Sequence, residues 1–105
     1  MSFHASAQNI RVDDGHRLIA ELQNEEGDWV EDELDLNDIL GNNDGRFEWH
    51  GGDFSGSAED ISFDLEGDDG VPILRARLTN SDSDEVDADI NLAERIGNNN
   101  GSFHF

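Results

Sequence analysis

The chain contains no cysteine, a single proline, and only 6 lysine or arginine residues among 105. Without cysteine there is neither a disulfide framework nor a thiolate metal site, so stability must come from packing. The four histidines (His4, His16, His50 and His104) show no i, i+4 pairing, so no zinc motif is written locally and no metal or cofactor is expected. Against those few basic groups stand 26 acidic ones, giving a formal net charge of −20. Such a chain repels phosphate backbones and anionic lipid surfaces, which excludes nucleic acid and membrane partners. No run of 18 apolar residues occurs, and the opening MSFHASAQNI lacks a basic region followed by an apolar stretch. The expectation is a chain with no signal peptide, either cytoplasmic or released by an unconventional route.

Isoleucine, leucine, valine and phenylalanine together make up about a quarter of the chain, above the floor of about 20% below which high charge implies disorder. A packed core is therefore possible. It is built from a repeat. Phe3 to Val12 (FHASAQNIRV) lies over Phe54 to Phe63 (FSGSAEDISF) at an offset of 51, while Leu18 to Asn24 and Val30 to Trp49 lie over their counterparts at an offset of 56. Across these blocks 15 of 37 positions are identical. The change of offset marks a five-residue insertion near Glu66 to Pro72, placed here in a loop because its glycines and proline are turn chemistry. Two units of about 50 residues are too few for an open solenoid and must pack into each other.

Within each unit the apolar residues recur with a period near 2, as at Ile10 and Val12 or at Leu18, Ala20 and Leu22. Turn chemistry separates the runs: Asp14-Gly15, Asn24 to Asp28, and Gly41-Asn42-Asn43-Asp44-Gly45, echoed by Asp69-Gly70, Asn80 to Asp84, and Gly97-Asn98-Asn99-Asn100-Gly101. The fold class is all-β, made of meanders and hairpins. Short capped turns are expected from Ser6, Asp35, Ser57 and Asn91 onward. Phe47, Trp49, Phe54, Phe63 and Phe103 are assigned to packing.

Enzymatic chemistry finds no support. With 26 carboxylates, acidic pairs occur at many spacings by chance, so a glycosidase reading has no specific basis. Asp82-Ser83-Asp84 opens like a calcium loop, but Asp87 stands where the loop requires glycine and Ala93 where it requires glutamate. Alternating acidic and apolar positions, as around Glu31 to Leu34, describe solvated strand faces.

The tandem units, the run from Leu34 through Gly41-Asn42-Asn43-Asp44-Gly45 to Trp49, and its echo from Ile90 to Phe103 resemble the cyanovirin-N homologue lectins over nearly the whole chain. The opening resembles fungal members. Ala7, Leu22, Ala58 and Leu78 stand where cyanobacterial members carry cysteines. The resemblance implies a strand-exchanged, pseudo-symmetric fold with one pseudo-domain of residues 1–39 plus 95–105 and another of 40–94, from repeats 3–49 and 54–105. It also implies a monomer, relaxed at the hinge by Gly51 and Gly52, that binds α1,2-linked mannose on high-mannose glycans or glycoproteins without metal or catalysis.

Carried over by position, the first pocket comprises Ser2, Ser6, Gln23, Glu25, Asn98, Asn99 and Asn100. The second comprises Gly41, Asn42, Asp44, Asp53, Ser57, Thr79, Asn80, Ser81 and Ser83. The second departs from the family pattern: acids are missing at Gly41 and Gly56, a base is missing at Ser81, and Asp82 and Asp84 crowd the rim. The first is therefore the expected sugar site. The alternative is an acidic protein-interaction module that has lost sugar binding and recruits a basic partner by electrostatic steering.

Overall fold

The structure, a computed structural model, describes residues 3–67 and 70–105. Two three-stranded antiparallel sheets carry the repeats. The first contains β1 (Ala7–Asp13), β2 (Arg17–Gln23) and β3 (Trp29–Asp35). After it comes the hairpin of β4 (Leu40–Asn43) and β5 (Arg46–Trp49). The second sheet contains β6 (Ala58–Glu66), β7 (Val71–Thr79) and β8 (Glu85–Asn91), followed by the hairpin of β9 (Gly97–Asn99) and β10 (Ser102–His104).

Each hairpin leaves its own repeat. β4–β5 packs on β8 and on the 3-10 turn Phe54–Ser57, while β9–β10 packs on β3 and on the 3-10 turn Phe3–Ser6. The exchange gives an elongated molecule of 50 × 26 × 22 Å with one continuous apolar core. Leu18, Ala20 and Leu22 of β2 are buried at alternate positions, as are Pro72, Leu74, Ala76 and Leu78 of β7. The aromatic anchors repeat as well. The Phe3 and Phe103 rings meet edge-on at 5.4 Å, and Phe47 and Phe54 meet at 5.6 Å. Phe54 is fully buried, and Phe47, Trp49, Phe63 and Phe103 flank the core, in line with a packing role. Ala7 pairs with Leu22 and Ala58 with Leu78, so the same apolar cross-strand pair recurs in both sheets.

Backbone conformation at the turns follows the residue types. Asp44-Gly45 and Asn100-Gly101 have φ of 52° and 88°, and 52° and 90°, the left-handed pairs that a two-residue hairpin requires. Asn9 and Asp60, both at 53°, mark matching β-bulges in β1 and β6.

Two sequence expectations need correction. The 3-10 turns at Phe3–Ser6 and Phe54–Ser57 end on the serines instead of starting there, because Ala7 and Ala58 are already paired in their sheets and Phe3 and Phe54 are drawn into the core. The insertion is also not a loop over Glu66 to Pro72. Leu65 pairs with Pro72 and Glu66 with Val71, so it lengthens a hairpin, with Asp69 of the expected turn lying outside the described residues. β8 reaches only as far as Ile73, which leaves Pro72, lacking an N–H, without a ladder partner on that side.

Gly51 and the Gly41 it packs against are sterically required. A Cβ on Gly51 would stand 2.8 Å from both the N and the Cα of Gly41, and one on Gly41 would stand 2.9 Å from the Gly52 N. On either side of Gly51 and Gly52, the His50 N–H donates to the Ile39 carbonyl at 2.9 Å and the Asp53 N–H to the Asn37 carbonyl at 2.8 Å. The connection is tied down, not slack. Gly51→Ala is accordingly expected to lower the unfolding free energy by about 1–3 kcal/mol, the range for overpacking a tight site, measured by urea denaturation.

The caps of the two short turns after β3 and β8 differ in charge. Asp35 accepts the Asn37 N–H at 2.9 Å and also meets His16 Nδ1 at 2.9 Å, whereas Asn91 accepts the Ala93 N–H at 2.9 Å with no charge. Burial pushes the Asp35 carboxyl up, but the hydrogen bonds from His16 and from the Asn37 N–H outweigh it and hold the group below its ordinary range. A depressed native pKa stabilises the fold above the unfolded value, and that contribution disappears as pH falls through the native value. Asp35→Asn keeps the cap acceptor and removes the titration. The stability difference between wild type and this variant should therefore fall as pH drops below about 3.9, as read from unfolding curves across the acid range.

Candidate functional site

Each exchanged hairpin is fastened to the opposite half by an asparagine that makes two hydrogen bonds across the exchange. Asn98 Nδ2 donates to Ser6 Oγ at 2.9 Å and to the Gln23 carbonyl at 2.8 Å, while Asn98 Oδ1 accepts the Gly101 N–H at 2.9 Å. Asn42 repeats the arrangement: Nδ2 to Ser57 Oγ at 2.9 Å, Nδ2 to the Thr79 carbonyl at 2.8 Å, and the Gly45 N–H to Oδ1 at 2.9 Å. A second contact follows two residues on. Asn100 Oδ1 accepts the Glu25 N–H at 2.9 Å, and Asp44 Oδ1 accepts both the Ser81 N–H at 2.9 Å and the Ser81 hydroxyl at 2.8 Å. The facing turns organise themselves, Asn24 Oδ1 accepting the Glu26 and Asp28 N–H groups and Asn80 Oδ1 those of Asp82 and Asp84.

These contacts bring the residues of each candidate pocket together and sort them by role. In the first, hydrogen bonds join Ser6, the Gln23 carbonyl, the Glu25 N–H, Asn98 and Asn100 where the β9–β10 turn meets the β2–β3 turn, with Asn99 the exposed residue between the two asparagines; Ser2 lies outside the described residues. Asn98 spends both of its amide donors within the protein. Spare capacity resides in the exposed Asn99 side chain, the Asn100 Nδ2, the Glu25 carboxylate and the Ser6 hydroxyl proton. In the second, Asn42, Asp44, Ser57, Thr79, Asn80 and Ser81 converge in the same way, and the Ser83 N–H donates to the Asn80 carbonyl at 3.0 Å. Gly41 has no side chain to offer and is packed against Gly51 and Gly52, while Asp53 belongs to the connection, its carbonyl accepting the Gly56 N–H at 3.1 Å.

The two sites differ electrostatically. The hydrogen bonds from the Ser81 N–H and hydroxyl hold the Asp44 carboxyl below its usual range, so a fixed anion sits in the second turn where the first has the neutral Asn100. Beside the second site Glu59 is pushed up by its hydrogen bond and charge contact with Glu85. At the corresponding first-repeat positions stand Gln8 and Trp29. Trp29, which sequence reasoning missed, is 45% exposed and is the cross-strand partner of Gln23. The sequence signal for it was a large aromatic directly after a polar turn, outside the alternation of core residues.

A concavity of about 420 Å³ lies elsewhere, on the outer face of β6–β7–β8 between Asp60, Arg75, Arg77, Asp87 and Asp89. Its cations are already matched, with Arg77 3.5 Å from Asp60 and 3.4 Å from Glu85, and Arg75 paired with Glu66. It is a charged sheet face, separate from either hairpin site.

Because Asn98 and Asn42 each make two hydrogen bonds across the exchange and one within their own turn, truncation should cost more than an ordinary surface change. Asn98→Ala and Asn42→Ala are each expected to lower stability by about 1–3 kcal/mol. Hydrogen exchange should show lost protection at the Gly101 and Gly45 amides respectively.

The family model that matches this chain is the CVNH domain, over residues 3–104. A cyanovirin-N homologue of Neurospora crassa is 44% identical over 107 residues, spanning 98% of this chain and 96% of its own. The solution structure of the Gibberella zeae homologue superposes with a TM-score of 0.94 at 54% identity, covering 98% of this chain and 95% of that one. Microvirin, whose structure was solved with mannobiose, superposes with a TM-score of 0.88 at 26% identity, covering 99% and 97%. The chain belongs to the cyanovirin-N homologue family.

Proposed function

We propose that this protein is a non-catalytic, metal-independent lectin that takes α1,2-linked mannose in the pocket built by Ser6, Gln23, Glu25, Asn99 and Asn100, with Trp29 at its edge. One observation carries the reading. The hairpin is pinned by Asn98, by Asn100 Oδ1 on the Glu25 N–H and by the Phe103 N–H on Asp32, which leaves the Asn100 Nδ2, the Ser6 hydroxyl proton, the Glu25 carboxylate and the exposed Asn99 side chain unspent, the donor and acceptor set that sugar hydroxyls need. Microvirin's mannobiose complex supports mannose as the sugar. The second site, where the ionised Asp44 is already bound to Ser81 and Glu59 and Glu85 stand in place of Gln8 and Trp29, is the weaker one. The pseudo-domains are 1–39 with 95–105 and 40–94, the protein acts as a monomer, and its place is the cytoplasm or, after unconventional release, outside the cell.

Four hydrogen bonds of about 1 kcal/mol each give a Kd of about 1 mM for one disaccharide. Useful avidity then comes from branched glycans. An amide NMR titration with α1,2-mannobiose should give saturable shifts at Ser6, Gln23, Glu25, Asn99 and Asn100 and at the Trp29 indole, changing little between low and high salt. Absence of any shift at millimolar sugar would refute the mannose reading. Strong salt dependence would indicate a steered charge interaction instead.

A further inference from the structure

Ten asparagines occur in the chain, and only Asn100 is followed two residues later by serine or threonine. Asn100-Gly101-Ser102 therefore matches the N-glycosylation acceptor pattern. In the fold it occupies the tip of the β9–β10 turn, where Asn100 and Ser102 are both exposed. The Asn100 amide is half used: Oδ1 accepts the Glu25 N–H, while Nδ2 has no hydrogen-bond partner among the described residues. The equivalent turn in the first repeat, Asp44-Gly45-Arg46, has neither the amide nitrogen nor the hydroxyl, and Asp44 is bound on Ser81.

We infer that Asn100 is an N-glycosylation acceptor whose modification caps the first sugar pocket, so that a copy routed through the endoplasmic reticulum, instead of the cytoplasmic or unconventional route, emerges with that pocket closed. The blocking half of this inference rests on the lectin reading above; the modification does not.

The chemistry balances with a polyprenyl-diphosphate-linked oligosaccharide and its transferase. Asn100 Nδ2 forms a bond to C1 of the proximal sugar, and the C1–O bond to the diphosphate breaks. The electron pair leaves on the polyprenyl diphosphate, and one amide proton passes to a base of the transferase. The product retains Oδ1, so the contact with the Glu25 N–H survives, as do all three hydrogen bonds of Asn98. The hairpin stays fastened. What changes is the space in front of Asn99 and Glu25, now filled by the attached sugar.

The full chain would be produced in two ways: in bacterial cytosol, and through the yeast endoplasmic reticulum behind a cleavable leader. Intact-mass measurement and peptide mapping read the modification. The expected result is a glycan on Asn100 in the yeast material, lost in Ser102→Ala, which leaves every group assigned to the pocket in place. A yeast product with unmodified Asn100 overturns the inference. Binding is read by NMR with α1,2-mannobiose. Bacterial protein and yeast-made Ser102→Ala should respond alike at Ser6, Gln23 and Asn99, whereas the glycosylated form should bind at least tenfold more weakly there. Equal binding by the glycosylated form refutes the capping. If the bacterial protein itself ignores mannobiose while Asn100 carries glycan, the modification holds and the lectin reading is what fails.

Discussion

Everything distinctive in this molecule depends on two side-chain amides. A hairpin of only three or four residues per strand cannot hold itself in water, and both hairpins here sit on the sheet of the opposite repeat. The Asn42 and Asn98 side chains make that placement specific. Each donates once to a serine hydroxyl and once to a backbone carbonyl of the far sheet, and each accepts the N–H of its own turn glycine. Apolar burial drives the hairpins inward without choosing a register. A planar amide with all of these groups engaged does choose one.

The second constraint is steric. Where the chain crosses between halves, Gly41 and Gly51 approach so closely that neither tolerates a side chain. That contact removes Gly41 from the candidate ligand set, because the geometry that closes the crossing leaves no room for any side chain there. The two repeats thus share a scaffold and have diverged at its rims. At corresponding positions the first repeat has Gln8, Trp29 and Asn100, and the second has Glu59, Glu85 and Asp44. The first turn keeps acids of its own at Glu25, Glu26 and Asp28, so the electrostatic difference between the two sites lies at the positions of Gln8, Trp29 and Asn100.

Binding capacity in such a site is what remains after folding has used what it needs. Asn98 and the Gln23 carbonyl are committed to the exchange, while Asn99, Glu25 and half of Asn100 remain available. This division of labour also lets a glycan on Asn100 alter the pocket while the fold stands. The same surface acidity that favours solubility concentrates repulsion at the second turn, where Asp44 must be held by Ser81.

The sequence by itself determined the all-β class, the internal repeat, the hairpin turns at Asp44-Gly45 and Asn100-Gly101, and the alternating core of β2 and β7. These rest on local rules: side-chain period along a strand and the tolerance of particular residues for positive φ. It placed Asn42 and Asn98 at turns but could not distinguish a turn residue from a ligand from a clamp. That distinction needs Ser6 and Gln23, which are 92 and 75 residues from Asn98 in the chain. The proline of the insertion read as a loop because the tolerance of β7 for a missing N–H depends on where β8 ends. The exposure of Trp29, the clash that forces Gly51 and the pairing of Asp44 with Ser81 belong to tertiary structure alone, because each is set by backbone brought together from the two halves or by which face of a sheet is left uncovered.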